Sequence, residues 1–144
     1  MNLFVCGVCA HVAFGSVPKN CPVCGASGSR FGQNDRKFSE AKETGEDTAV
    51  THAPLITVNK QCGLYLGQSC VDVQVRIGRI LHPMDAAHSI AWIDCYVDDR
   101  YTARSLLTTG VNPAAVFHLR KSGSKARAVG LCNLHGHWQA EEYI

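Results

Sequence analysis

No stretch of this 144-residue chain is apolar for long enough to span a bilayer. Neither sign of charge prevails, with 14 Lys and Arg against 12 Asp and Glu. That balance gives no case for nucleic acid or a membrane surface as partner. The start, Met1-Asn2-Leu3-Phe4-Val5-Cys6, lacks a basic segment, and cysteines begin where a secretion signal would need its apolar stretch and cleavage site. No internal repeat is visible. These absences lead us to expect a cytoplasmic protein. The length suits one domain plus a small module.

What the chain does hold is eight cysteines and seven histidines. In a reducing compartment that cysteine content favours metal ligation over a disulfide framework. Cys6-Gly7-Val8-Cys9 and Cys21-Pro22-Val23-Cys24 are two CxxC knuckles, with Gly7 and Gly25 relieving the tight backbone. Each knuckle turns two sulfurs toward one ion, so Cys6, Cys9, Cys21 and Cys24 make a closed tetrahedral site for zinc or iron. So short a module buries little core, and the metal must hold it together. His11 lies between the knuckles and is expected to be a solvent-facing strand residue. Roughly the first thirty residues resemble the rubredoxin-like domain appended to rubrerythrins. Iron there would make an electron relay; zinc would make a structural or adaptor element.

Gly, Ser and charged residues dominate 26–50, which reads as a linker. Residues 36–43 suit two turns of helix with Asp35 as N-cap. The predicted organisation is a knuckle module over 1–34, a linker over 35–49 and a β domain over 50–144. Leu55–Val58 reads as a strand, and Val71, Val73, Val75 and Ile77 alternate along another. Further strands are expected near 89–98, 100–107 and 114–120, with 126–130 leading into a loop at Cys132. Turn signals fall at Gly63, Gly67, Asp98-Asp99, Gly110 to Pro113 and Ser122 to Ser124. The spacing predicts a mainly β fold, an antiparallel sandwich.

The second constellation ends in Cys132-Asn133-Leu134-His135-Gly136-His137-Trp138, a thiol and an imidazole three positions apart. His82 and His88 flank a turn opened by Pro83, and His52 precedes Pro54. Loops at one end of a sandwich could bring all of these together. Four imidazoles and a thiolate exceed the four ligands of tetrahedral zinc. They suit a redox metal, iron first, with one position open.

His-Ala-Pro-Leu-Ile from His52, His-Pro-Met-x3-His-x-Ile-x-Trp-Ile from His82, and Cys-Asn-Leu-His-Gly-x-Trp from Cys132 resemble, in order and register, the superoxide reductase family, which includes desulfoferrodoxin and neelaredoxin. The resemblance covers 50–144 and implies an immunoglobulin-like β-sandwich. It implies His52, His82, His88 and His135 as equatorial ligands of ferrous iron, with Cys132 axial. It also chooses His135 over its neighbour His137, which becomes a loop residue. These five residues would then catalyse one-electron reduction of superoxide to hydrogen peroxide. The electrons would come from an external donor such as rubredoxin or an NAD(P)H-dependent reductase, relayed by an FeCys4 site. Family members commonly assemble through the sandwich, so a homo-oligomer is expected.

One departure stands out. The family usually carries Glu-Lys just before the first ligand, whereas this chain has Val50-Thr51. Lys60 and Lys42 are candidate replacement cations and Glu46 a candidate sixth ligand. The alternatives to an enzyme are a zinc-knuckle adaptor and a pure electron carrier. His118 matches no family ligand. Cys62, Cys70 and Cys95 lack metal spacing and are expected to be buried small apolar residues. A Cys62–Cys70 disulfide is disfavoured by the cytoplasmic reading.

Overall fold

The computed structural model describes residues 1–43, 45–61, 64, 70–120 and 123–144, apart from the side chains of Glu46 and Asp47. Cys62, Gly63, Gly67 and Ser122 lie outside the described residues, as does the carboxylate of Glu46.

Alternating Val71, Val73, Val75 and Ile77 turn inward from β5 (Val71–Ile77), all at most 2% exposed. β5 is the middle of a three-stranded antiparallel sheet, between β4 (Pro54–Asn59) and β8 (Ala114–Leu119). The facing sheet has the order β10-β9-β6-β7, from β6 (Ile90–Val97), β7 (Arg100–Leu106), β9 (Lys125–Cys132) and β10 (Gly136–Tyr143). Ile93 and Cys95 from β6, and Ala126 and Ala128 from β9, meet the β5 side chains between the sheets. This is the expected antiparallel sandwich. Asp98 and Asp99 both take positive φ in the β6–β7 hairpin turn, which short polar side chains tolerate.

β6 and β9 are buried on both faces. Their outer faces carry Trp92, Tyr96 and Val129, which pack against Leu3, Val12 and Phe38. The N-terminal sheet that covers them has the order β2-β1-β3, from β1 (Leu3–Cys6), β2 (Val12–Phe14) and β3 (Phe31–Gln33). That docking explains why the β6 sequence does not alternate: neither of its faces meets water.

A polar network locks the two parts together. Asp94, fully buried, receives Nε and Nη2 of Arg104 at 2.6 and 2.9 Å. His11 Nδ1 lies 3.0 Å from the same carboxylate, and its ring stacks on Tyr96. His11 is therefore not solvent-facing but 2% exposed, because the module's inner edge is pressed onto β6. Removing one partner of a buried pair strands the other's charge. Asp94→Ala should lower stability by about 3–5 kcal/mol in denaturant unfolding of the metal-loaded protein.

The stretch read as a linker folds into α1 (Lys37–Lys42) and α2 (Glu46–His52). Asp35 does not cap α1. Its carboxylate accepts from the Leu3 amide at 2.8 Å instead, and the N-cap position falls to Arg36 without a side-chain bond. Cys132 ends β9 rather than sitting in a loop, and β10, which follows it, is a strand that the sequence pattern does not predict. Cys95 is fully buried as expected. Cys70 differs, being half-buried and disulfide-bonded. His118 Nδ1 contacts Asp72 at 2.6 Å.

Candidate metal centres

Four sulfurs around a metal at about 2.3 Å stand about 3.8 Å apart. In the N-terminal module Cys6 and Cys24 Sγ are 3.7 Å apart, Cys9 and Cys21 Sγ 3.6 Å, and all four lie within 4.8 Å of one another. The Val8 amide donates to Cys6 Sγ at 3.4 Å. Burial works to raise the Cys6 thiol, but backbone donors at Cys9 and Val8 outweigh it and hold it down at about 7. Burial, aided by the neighbouring Cys21 and Cys24, pushes Cys9 up to about 12. So dense a set of sulfurs is neutralised best by a cation, and the spacing fits one.

The second centre is assembled from the ends of elements. His52 is the last residue of α2, and its Nδ1 donates to the Thr48 carbonyl of the preceding turn at 2.8 Å. The Thr51 hydroxyl lies 2.9 Å from the same nitrogen. His82 follows β5 and its Nδ1 donates to the Pro83 carbonyl at 2.6 Å. Gly78 permits both placements. With φ at 91°, a Cβ there would stand 2.2 Å from the Ile80 carbonyl oxygen and 2.6 Å from that of Thr51. Asp85 folds the next turn by accepting from the Ala87 and His88 amides. Cys132 and His135 flank the β9–β10 turn, where the His135 amide donates to Cys132 Sγ at 3.4 Å and Gly136 takes φ 78°.

The four imidazoles form a ring. Consecutive centroids, in the order His52, His82, His88, His135 and back, are 4.5, 4.5, 5.1 and 4.9 Å apart, at interplanar angles of 66–86°. Donor atoms of His52, His88, Cys132 and His135 lie within 4.8 Å of one another. His82 joins them through its Nε2, 3.1 Å from His52 Nε2. Cys132 Sγ is 3.7 Å from His135 Nδ1, and Cys132 is only 1% exposed. The structure thus gathers four of the five predicted donors within 4.8 Å of one another and sets the fifth, His82, against His52 and His88.

The 3.1 Å contact tests whether a metal fits. Both rings spend their Nδ1 proton on a carbonyl, so in neutral rings both Nε2 atoms carry bare lone pairs. Burial, then the neighbouring imidazoles, push His52 down to about 4, and burial likewise lowers His82. Two lone pairs at that distance repel unless a cation lies between them. His88 Nε2 is buried with no hydrogen-bond partner among the described residues, another nitrogen free to bind a metal. The set offers three Nε2 atoms, the Nδ1 of His135 and one thiolate.

Sequence reasoning missed supporting residues. Asn133 accepts from the Ser89 amide at 3.0 Å and donates to the Ala87 carbonyl at 3.0 Å, tying the Cys132 turn to the His88 turn. Its place between Cys132 and His135 was the available signal. Trp138 Nε1 donates to the His135 carbonyl at 3.1 Å, and its ring lies against His52. His137 is not a loop residue. It lies in β10, 3% exposed, and its Nε2 donates to the Ala10 carbonyl at 2.8 Å. Its ring faces away from the donors, toward Trp92 and the N-terminal module.

Residues 42–141 match the family model described as Desulfoferrodoxin. The chain belongs to the desulfoferrodoxin family. A superoxide reductase of Thermococcus kodakarensis is 30% identical over 116 residues, covering 72% of this chain and 96% of the relative. A desulfoferrodoxin of Desulfarculus baarsii is 42% identical over 69 residues, 47% of this chain, and here the match spans only about half the relative, 52%. Among solved structures, the superoxide reductase (neelaredoxin) of Ignicoccus hospitalis is 30% identical with a TM-score of 0.56, over 71% of this chain and 87% of that one. Desulfoferrodoxin family membership accounts for the sandwich, whereas the matched region begins after the CxxC knuckles.

Proposed function

We propose that the protein reduces superoxide by one electron, with two protons, to hydrogen peroxide. The residues that would hold a single iron for this are His52, His82, His88, His135 and Cys132. The observation that carries this reading is the pair of unprotonated Nε2 atoms of His52 and His82 facing each other at 3.1 Å within a ring of imidazoles closed by a buried thiol. Five donors exceed what zinc takes, and a mixed set of four nitrogens and one sulfur suits iron. Bound iron would supply the electron, and thiolate donation would tune it.

The residues around the iron do the rest. Thr48 and Pro83 carbonyls fix the tautomers of His52 and His82 so that Nε2 points inward. The His135 amide holds Cys132 Sγ in place. Asn133 keeps the two ligand turns in register.

We further propose the division 1–34, 35–49 and 50–144, with iron in the Cys6, Cys9, Cys21 and Cys24 site relaying electrons. An external carrier such as rubredoxin, or an NAD(P)H-dependent reductase, would supply them. The setting is the cytoplasm and the assembly a homo-oligomer. Among the described residues no helix is long and apolar enough to cross a membrane.

Rapid mixing of the reduced protein with superoxide tests the activity. One peroxide should form per superoxide, with no dioxygen released. Dioxygen release would mean dismutation, and a colourless protein inert to superoxide would favour the zinc adaptor.

Thr51 stands where the family's Lys is usual, half-buried, with its hydroxyl donating to the Thr48 carbonyl at 3.2 Å. A cation there should draw in the anionic substrate. Thr51→Lys should raise the second-order rate by about tenfold at low salt, the gain shrinking as ionic strength rises. An unchanged rate would show that capture does not depend on charge at this position.

A further inference from the structure

Four consecutive residues of the N-terminal module are bonded to the sandwich. The Cys9 carbonyl accepts from Arg104 Nη1 at 3.2 Å, and the Ala10 carbonyl from His137 Nε2 at 2.8 Å. His11 meets Asp94, and the Val12 carbonyl accepts from the Tyr96 hydroxyl at 2.7 Å. Three of these links lead into β6 and β7, which carry no donor of the second centre. The link at Ala10 leads to β10, next to the turn that carries His135.

Ala10 is the odd member. The residue after the second knuckle, Gly25, takes φ 78°, as glycine does freely. The equivalent residue after the first knuckle is Ala10, with φ 64°. An alanine held there costs about 1–2 kcal/mol of backbone strain. The strained turn points its carbonyl at His137, whose other nitrogen is buried without a partner among the described residues. Nothing in the superoxide chemistry uses either residue.

We propose that the His137–Ala10 hydrogen bond is the electronic bridge between the two metal centres. The route runs from Cys9 along one peptide to the Ala10 carbonyl, across the 2.8 Å bond to His137, and back along the β10 backbone through Gly136 to His135. One electron leaves ferrous iron in the four-cysteine site, which becomes ferric. It arrives at ferric iron in the sandwich site, which becomes ferrous. No bond breaks and no proton changes hands. A one-electron carrier protein or a flavin-type reductase restores the first iron. His137 acts here as a positioning residue. The proposal rests on both sites holding iron and is independent of what the second one reduces.

The test is flash photoreduction of the fully oxidised, iron-loaded protein by a flavin, with no superoxide present. Absorption should show the four-cysteine iron reduced first, then re-oxidised as the sandwich iron is reduced, at a rate independent of protein concentration. His137→Phe should slow that second phase by at least about tenfold, the effect usual for losing a hydrogen-bond partner just outside a metal's ligands. Both midpoint potentials and both ferric spectra should stay unchanged. An unaltered rate in the variant, or a rate proportional to protein concentration, overturns the proposal. A second measurement covers failure of the variant to fold. In the zinc-loaded wild-type protein, NMR should detect scalar coupling from the His137 ring nitrogen to the Ala10 carbonyl. Its absence also overturns the bridge. A bridge that passes these tests in a protein inert to superoxide would sink the proposed activity alone.

Discussion

Cys132→Ser should leave a folded sandwich whose iron lacks visible sulfur-to-metal absorption and whose reaction with superoxide is slower by at least about a hundredfold. Changes to partners just outside a metal's ligands already cost about 10–100-fold, and this one removes one of the five proposed ligands. Fold is expected to survive, since serine is nearly isosteric and the site lies at the end of β9, with Ile90 as its cross-strand neighbour. What disappears is a soft, polarisable donor. Serine keeps its proton at neutral pH where a cysteine beside a metal does not. The His135 amide, now 3.4 Å from sulfur, would have to reach an oxygen on a shorter side chain, so the turn carrying His135 should shift as well. Absorbance and rapid-mixing kinetics on the same sample separate the outcomes. A variant that retained both colour and rate would mean that Cys132 is structural.

Removing metal from the four-cysteine site should collapse the N-terminal module while the sandwich stands. Structural metal sites of this kind contribute about 10–16 kcal/mol of apparent binding energy at neutral pH. The module has little else of its own: Leu3, Val12 and Ala13 are its buried apolar residues besides the cysteines. Hydrogen exchange should report lost protection over β1, β2 and β3 and retained protection over β5, β6 and β9. Trp92, 4% exposed and beneath the module, should show red-shifted fluorescence. Full protection after chelation would show that docking on the sandwich, rather than the metal, holds the module.

The donors were readable because ligand chemistry is local: two thiols, or a thiol and an imidazole, three positions apart are short-range patterns. β5 was readable because one of its faces meets a core and the other water. β6 and β9 were legible as strands but without clean alternation, because the module covers their outer faces, a fact written far upstream in Leu3 and Val12. His11 and His137 misled for the same reason. Each looks like a polar residue beside a metal motif, and each is buried only because its partner belongs to the other half of the molecule. The terminal strand β10 escaped because Glu141, Glu142 and Tyr143 are exposed, leaving Ala140 and Trp138 too sparse a pattern to show. The helical turn ending at His52 was hidden by Gly45 and by the charged residues ahead of it.

Two-sided burial of the middle strands carries a consequence for engineering. A sandwich cut free at residue 50 would bare Trp92, Tyr96 and Val129 side by side, the kind of greasy surface that seeks another copy of itself. The halves of this protein are therefore not interchangeable cassettes. Shortened versions should be designed with those three positions recoloured polar, or kept with the knuckles in place.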